Sequence, residues 1–325
     1  MNQKLAGVIL AAGKGTRITP FSGSLPKPVL PVGNRPLAEY HVEMMKCWGV
    51  SEIIVVVGHL AHSIVDVLGG GERFGIPIRY IEQDEILGLA HAVGKVEPAI
   101  DSPFVVLLGD LYLQLGDMRP AIQEVVDGAA SAVLISCVER DPAMIRRNFS
   151  IQADSEGRVS QVIEKPRHAV GNVKGAGLYV FDKHIFDAIR RTPRTALRNE
   201  YELTESIQIL IEDGRTVTHR PIATADINLT VPGDLLAANL MELHRRGLPH
   251  LVAAGARLAP GVRVDHSVIG EGADIRHPVH IAYSLVFPGT CVTADHDIEG
   301  AILYRDQVIP TGIRRQAWSA SFVAR

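Results

Sequence analysis

Leu5-Ala-Gly-Val-Ile-Leu-Ala-Ala-Gly13-Lys14-Gly15-Thr16-Arg17, followed by Leu25-Pro26-Lys27-Pro28-Val29-Leu30-Pro31, is the stretch from which the rest of the chain can be read. The apolar run Gly7 to Leu10 has the composition of a buried strand, and it passes into small residues, Ala11 and Ala12, and then two glycines. Without Cβ atoms in the way, backbone N–H groups there can close on a bound anion. Arg17 adds a planar bidentate cation where the loop ends, and Lys27, held between Pro26 and Pro28, adds a point charge ten residues on. Two cations then face one polyphosphate. Two better-known glycine loops do not fit. The P-loop needs four residues between its first glycine and the Gly-Lys-[Ser/Thr] end, whereas five separate Gly7 from Gly13 and Lys14 is followed by Gly15. The dinucleotide fingerprint fails because Ile18 stands in the place of its third glycine. A plain glycine turn would leave Thr16-Arg17 and Pro26-Lys27-Pro28 unexplained.

Leu-Ala-Ala-Gly-x-Gly-Thr-Arg with Pro-Lys-Pro-x-Leu-Pro ten residues later resembles the sugar-1-phosphate nucleotidyltransferase family, glucose-1-phosphate uridylyl- and thymidylyltransferases in particular. The resemblance implies an α/β fold, a Rossmann-like, mostly parallel sheet with the nucleotide at its strand ends. It also implies that Leu10, Ala11, Ala12, Gly13, Gly15, Thr16 and Arg17 hold the triphosphate, with Lys27 on the departing phosphates.

Composition agrees. The 325 residues, 46% of them apolar, supply core for two domains, and a net charge of -3 leaves no basic footprint for nucleic acid. An anionic substrate must therefore be met by local cations. Cys47, Cys137 and Cys291 lie far apart without metal-type spacing, which suits a reducing cytoplasm and favours core thiols. Leu5 to Ala12 is too short for a signal segment, and no transmembrane run is present, so no membrane partner is expected.

Periodicity gives helices over Pro36–Trp48, Ser63–Leu68 and Ala90–Glu97, alternating with strands over Glu52–Val57, Ile78–Ile81 and Phe104–Leu108. Such alternation predicts a mostly parallel sheet covered on both faces, with the ligand at the strand ends. Glu82-Gln83-x4-Gly88-Leu89-Ala90 follows one strand and resembles the base-reading segment of the uridylyl- and thymidylyltransferase branches. An amide at Gln83 can accept from the pyrimidine N3–H and donate to O4, and Gly88 lets backbone approach the ring edge. Guanine presents a similar edge, so rejecting purines falls to pocket size. Gly109-Asp110 ends another strand. A lone Asp there is commonly a turn former, but the resemblance implies a Mg²⁺ ligand.

Further on, a helix is expected over Met118–Val126, a strand over Ser131–Val138 and a hairpin over Phe149–Ala153 and Val159–Ile163. Glu164-Lys165-Pro166 resembles the family's Glu-Lys-Pro, in which Lys contacts the sugar phosphate and Glu the sugar hydroxyls; Gly175 and Gly177 would let backbone touch the hexose. This chain departs from the family pattern with Ser150 where glycine is frequent and Gly175 where asparagine is frequent. Helices over Lys183–Arg191, from Glu202, and over Leu235–Arg246 flank a strand at Val217–His219. Asp226-Ile-Asn228-Leu-Thr-Val-Pro232 matches the segment bearing a second magnesium ligand; Asn228 is the expected one, with Asp226 in reserve.

A repeat lies beyond. Gly255, Gly272 and Gly289 stand seventeen residues apart, and the same shift superposes Leu258, Ile275, Val292 and Ile309, then Val264, Ile281 and Ile298, then Ile269, Val286 and Leu303. Steps of six, five and six describe three short sides per turn of a parallel β-helix, and the resemblance is to the left-handed hexapeptide-repeat domain of many nucleotidyltransferases. About three coils are too few for the acetyltransferase site that longer relatives carry, so self-association as a homo-oligomer, through the β-helix or a tail at Arg314–Arg325 with Trp318 and Phe322, is the expected use. His266, His277, His280 and His296 read as corner residues rather than metal ligands. The expected organisation is a nucleotidyltransferase domain (1–232), a connecting helix (233–250), the β-helix (251–313) and the tail (314–325).

The chemistry that fits is attack of a sugar-1-phosphate oxygen on the α-phosphorus of a nucleoside triphosphate, with Arg17, Lys27, Asp110 and Lys165 as the catalytic set and Mg²⁺ between Asp110 and Asn228. Rival readings are a mannose-1-phosphate guanylyltransferase, a non-catalytic nucleotide-sensing subunit of the same fold and a bifunctional acyltransferase.

Overall fold

The computed structural model describes residues 4–168, 170–196 and 199–314. Along the chain, β1 (Ala6–Ala11) is followed by a short hairpin of β2 (Pro31–Val32) and β3 (Arg35–Pro36), then α1 (Leu37–Cys47), β4 (Glu52–Val57), α2 (Ala61–Leu68), β5 (Ile78–Glu82), α3 (Leu89–Gly94) and β6 (Phe104–Leu108). Next come β7 (Leu111–Leu115), α4 (Arg119–Val126), β8 (Ala132–Val138), α5 (Pro142–Arg147), the hairpin β9 (Phe149–Ala153) and β10 (Val159–Glu164), and β11 (Val173–Phe181). The series continues with α6 (His184–Arg191), α7 (Leu203–Glu212), β12 (Val217–Arg220), β13 (Ala223–Asn228) and α8 (Pro232–Arg246). By contacts these residues fall into two compact units, one of residues 4–14 and 38–226, the other of residues 15–37 and 227–314.

The first unit is a sheet in the order β10-β9-β11-β6-β1-β4-β5, with β8 on β11 and β12 on β8. Every residue of β1 is buried, as a strand covered on both faces requires. Its parallel partners are held in register, Leu10 opposite both Val56 and Leu108. Beyond β6 the direction changes, since β11 runs antiparallel to β6, β8 and β9. Against this sheet α6 and α7 cover a core in which Phe104 stacks on Phe186 with ring centres 5.3 Å apart, and Tyr179 on Phe181 at 5.5 Å.

Strand β7 and helix α5 are among the elements that escape the periodicity. Strand β7 starts directly after Asp110, so it reads as a continuation of the β6 run, and it pairs with β13 in a separate two-stranded sheet. Helix α5 has six residues, too few for a periodic signal; Asp141 caps it by accepting from the Ala143 N–H at 2.8 Å, with Pro142 at its first position. Cys47 and Cys291 are exposed and Cys137 is half-buried, so the expected core thiols are not found; all three are free.

In the second unit the expected columns are present. Val264, Ile281 and Ile298 pair in one parallel sheet, Leu258, Ile275 and Val292 in a second, and Val252, Ile269, Val286 and Leu303 in a third. Three parallel sheets around one aliphatic column make a β-helix. A buried serine ladder runs up one corner: the Ser284 N–H donates to Ser267 Oγ at 3.0 Å, and the Ala301 N–H to Ser284 Oγ at 3.2 Å. At the same corner His266 stacks on Tyr283, ring centres 4.8 Å apart. The fourth member of one column is corrected. Ile309 lies opposite Ile302, not above Val292, because the chain turns back at Arg305-Asp306 and Gln307–Pro310 pairs antiparallel with Ala301–Tyr304. The tail from residue 315 onward, with Trp318 and Phe322, lies outside the described residues.

Candidate active site

Within the first unit, the carboxyl ends of β6, β1, β4 and β5 bring the sequence candidates to one edge. Gly109 donates its N–H to the Leu10 carbonyl at 2.9 Å, and the Gln83 N–H bonds the Val57 carbonyl at 2.8 Å. Leu10, Ala11 and Ala12 are buried beneath this edge, Gly13 is exposed with nothing within 4 Å of where a Cβ would stand, and Asp110 is half-buried at the end of β6. His41, on α1, holds the next residue: its Nε2–H donates to the Leu111 carbonyl at 2.7 Å, from a fully buried ring. Burial lowers its pKa to about 4, against smaller opposing pulls from that carbonyl and the Asp110 charge, so the imidazole is neutral. Its Nδ1 has no hydrogen-bond partner among the described residues.

Gln83 is buried, and its Nε2 donates to His91 Nδ1 at 3.0 Å. The His91 pKa is lowered, chiefly by burial and then by Lys95, which keeps Nδ1 free to accept. Gln83 makes no other side-chain hydrogen bond among the described residues, so this contact fixes the amide plane. Gly88, at φ 107, has the Tyr201 carbonyl oxygen 2.5 Å from where a Cβ would stand. The Tyr201 N–H and carbonyl bond Leu87 and Ala90, so only glycine permits this crossing.

Glu164 and Lys165 close β10. Lys165 is exposed at φ 42, a left-handed conformation costing a non-glycine residue roughly 1–3 kcal/mol, and its N–H bonds the Asn148 carbonyl at 2.8 Å. Its Nζ lies 3.3 Å from Glu164 Oε1, and Glu164 Oε2 accepts from Thr204 Oγ1 at 3.5 Å. Gly177 is buried against Leu108 and Leu111. Gly175 is filled from one side by the Phe149 ring, 1.8 Å from a notional Cβ, so packing alone demands glycine there. Ser150 is buried opposite Lys174, its hydroxyl without a hydrogen-bond partner among the described residues. Lys174, almost fully buried, donates to Asp226 at 2.8 and 3.0 Å. Burial nonetheless raises the Asp226 pKa, Lys174 only opposing it. Cys137 is 3.8 Å from the same carboxylate, and burial first, then that charge, push its thiol up to about 12. Asp226 is thus committed to Lys174.

The second unit carries Gly15, Thr16, Arg17, Lys27 and Asn228. Thr16 and Arg17 are exposed, while the Lys27 stem passes within 3.3 Å of the Cβ position of Gly15. Residues 15–37 are docked on the rest of this unit. Phe21 stacks on Phe287 and meets Tyr304 edge-on, Ser24 Oγ lies 2.8 Å from the Tyr304 hydroxyl, and Asn34 Nδ2 donates to the Ile269 carbonyl at 2.8 Å. Asn239 of α8, fully buried, accepts from the Gly33 N–H and donates to the Pro31 carbonyl, both at 2.9 Å. Asn228 ends β13 exposed, its Oδ1 accepting from Thr230 Oγ1 at 3.3 Å. No group of three or more potential metal-ligating His, Cys, Asp or Glu exists among the described residues. No helix among them is long and apolar enough to cross a membrane.

Sequence reading missed His41, His91 and Lys174. Their partners are 70, 8 and 52 residues away, and only His91, in the segment already singled out after Gln83, carried a local signal.

The chain is similar to known proteins. A low-salt glycan biosynthesis nucleotidyltransferase of Haloferax volcanii is 35% identical over 247 residues, covering 75% of this chain and 68% of that protein. A glucose-1-phosphate thymidylyltransferase of Streptomyces antibioticus is 29% identical over 96% of this chain and 90% of its own length. A Bacillus anthracis structure described as a glucose-1-phosphate thymidylyltransferase, with sucrose bound, superposes with a TM-score of 0.66 at 26% identity, covering 73% of this chain and 94% of that one. The nucleotidyl transferase family model matches residues 6–223, from the first residue of β1 to the first of β13, and with the strand-end site on that same stretch the chain belongs to this family.

Proposed function

We propose that the protein joins a nucleoside triphosphate to a hexose 1-phosphate, forming a UDP- or dTDP-sugar and releasing pyrophosphate. The observation that carries this reading is the strand edge where Leu10–Gly13, Gly109–Asp110 and the His91-oriented Gln83 amide lie at the ends of adjacent strands. The relatives named for glucose-1-phosphate thymidylyl transfer support the substrate class.

The nucleophile is already an anionic phosphate oxygen, so no general base and no covalent enzyme intermediate are needed. Catalysis then rests on position and charge. In this reading the Gly13–Thr16 backbone and Arg17 hold the triphosphate, Lys27 meets the departing pyrophosphate, and Lys165, at its strained φ, meets the attacking phosphate beside Glu164. Gln83 reads the pyrimidine edge.

Asp110 and Asn228 offer hard oxygen donors of the kind Mg²⁺ accepts, and the engagement of Asp226 by Lys174 favours Asn228 over it. When bound, the ion would neutralise phosphate charge. We place the reaction in the cytoplasm, which the free, exposed Cys47 and Cys291 support, and assign the β-helix to a homo-oligomer.

Arg17→Ala and Asp110→Ala should each lower turnover by about 10²–10³, the usual loss for one charged transition-state contact, with little change in unfolding midpoint. A pyrophosphate-release assay with UTP, dTTP, GTP and ATP against several sugar 1-phosphates measures this; near-native rates in both variants would remove the assignment.

A further inference from the structure

We propose that the β-helix is the seat of the triphosphate loop: Phe287 and Tyr304, with Asn239 of α8, act as positioning residues that fix residues 15–37 and so aim Arg17 and Lys27. The inference rests on the reading of those two cations given above.

The geometry is a closed nest. Phe21 and Phe287 are stacked, ring centres 4.9 Å apart and planes within 3° of parallel, while Tyr304 meets both edge-on at 5.1 and 5.0 Å. All three rings are buried. Such offset and T-shaped contacts restrict ring orientation as well as distance. The Ser24–Tyr304 hydroxyl contact at 2.8 Å adds a directional link on the same side. A second anchor is polar, with Asn239 bonded to both Gly33 and Pro31, and Asn34 bonded to the Ile269 carbonyl.

These anchors bracket the cations. Phe21 follows Arg17 by four residues and precedes Lys27 by six, and Pro31 follows Lys27 by four. Between them the chain has only two single 3₁₀ turns, Phe21–Gly23 and Lys27–Val29, before the two-residue strands of the β2–β3 hairpin. Elements this short do not hold a shape alone. Docking on Phe287, Tyr304 and Asn239 therefore fixes where the loop's charges point. A displacement of about 1 Å in a positioned group can cost on the order of 10²-fold in rate.

The test uses the full chain, with Phe287→Ala, Phe287→Leu, Tyr304→Phe and Arg17→Ala assayed for KM and kcat against UTP, dTTP and glucose 1-phosphate. Phe287→Ala should raise the triphosphate KM about tenfold or more while the glucose 1-phosphate KM stays within about twofold, and Phe287→Leu should recover most of the loss. Tyr304→Phe, which keeps the rings and removes only the Ser24 link, should show the same one-sided shift at about two- to threefold, and it carries the test if Phe287→Ala does not fold. An unchanged triphosphate KM in Tyr304→Phe and the folded Phe287 variants, or an equal change for both substrates, overturns the inference. If Arg17→Ala is crippled while those variants are normal, the site assignment stands and only the seat is lost; if Arg17→Ala is itself normal, the assignment beneath both is wrong.

Discussion

Gln83 has one amide proton committed to His91 and no other side-chain hydrogen bond among the described residues, so its orientation is set before any ligand arrives. Gln83→Ala should therefore narrow the gap between UTP and CTP, read as the ratio of their kcat/KM values, by about tenfold, roughly the worth of one well-placed hydrogen bond to a base. His91→Phe keeps a ring beside Tyr201 but cannot accept the Gln83 proton, and should give a part of the same loss. Lys174 poses a different question. Removing it leaves the Asp226 carboxylate half-buried and unpaired, so Lys174→Met should destabilise the fold by about 3 kcal/mol in urea titration, and adding Asp226→Asn should restore much of that. The motif residues could be picked out in the sequence because they stand together, Gly13, Gly15 and Arg17 within five positions. His41 and Lys174 could not, since each acquires its meaning from a residue brought near only by the sheet.

Among the elements, long periodic segments were legible and short ones were not. The parallel strands Glu52–Val57 and Phe104–Leu108 are found where apolar runs put them, whereas β7 is hidden by its neighbour and α5 by its length. The seventeen-residue period gave the β-helix its columns until the hairpin at Arg305-Asp306 broke it, a turn that periodicity has no means to mark. Inside the column, Ile281 is fully buried between Val264 and Ile298. Ile281→Ala should cost about 2–5 kcal/mol, while Ser284→Ala, which strips the Ala301 N–H of its acceptor, should cost about 1–3 kcal/mol; denaturant unfolding of the two variants checks the order.

For the whole molecule, the buried histidine gives stability a defined acid limb. His41 is neutral in the fold, with a pKa near 4 against 6.5 for the free side chain, so the folded state resists its protonation. Its contribution is full above pH 6.5 and is lost as pH falls toward 4, a loss of about 3 kcal/mol, and the lowered His91 pKa acts in the same direction. Unfolding free energies measured in urea at pH 7.5, 6 and 5 should fall accordingly, and His41→Asn should flatten the slope. The grouping of residues 15–37 with 227 onward was not legible, because nothing in the spacing of Arg17 and Lys27 says what Phe21 rests on.

That resting place bears on how the protein can be cut. A fragment trimmed to residues 6–223, the family match, would retain both cations yet leave an orphaned phenylalanine and the unpaired backbone of a short hairpin in water. Such a piece should be sticky and poorly active, however complete its motifs look on paper.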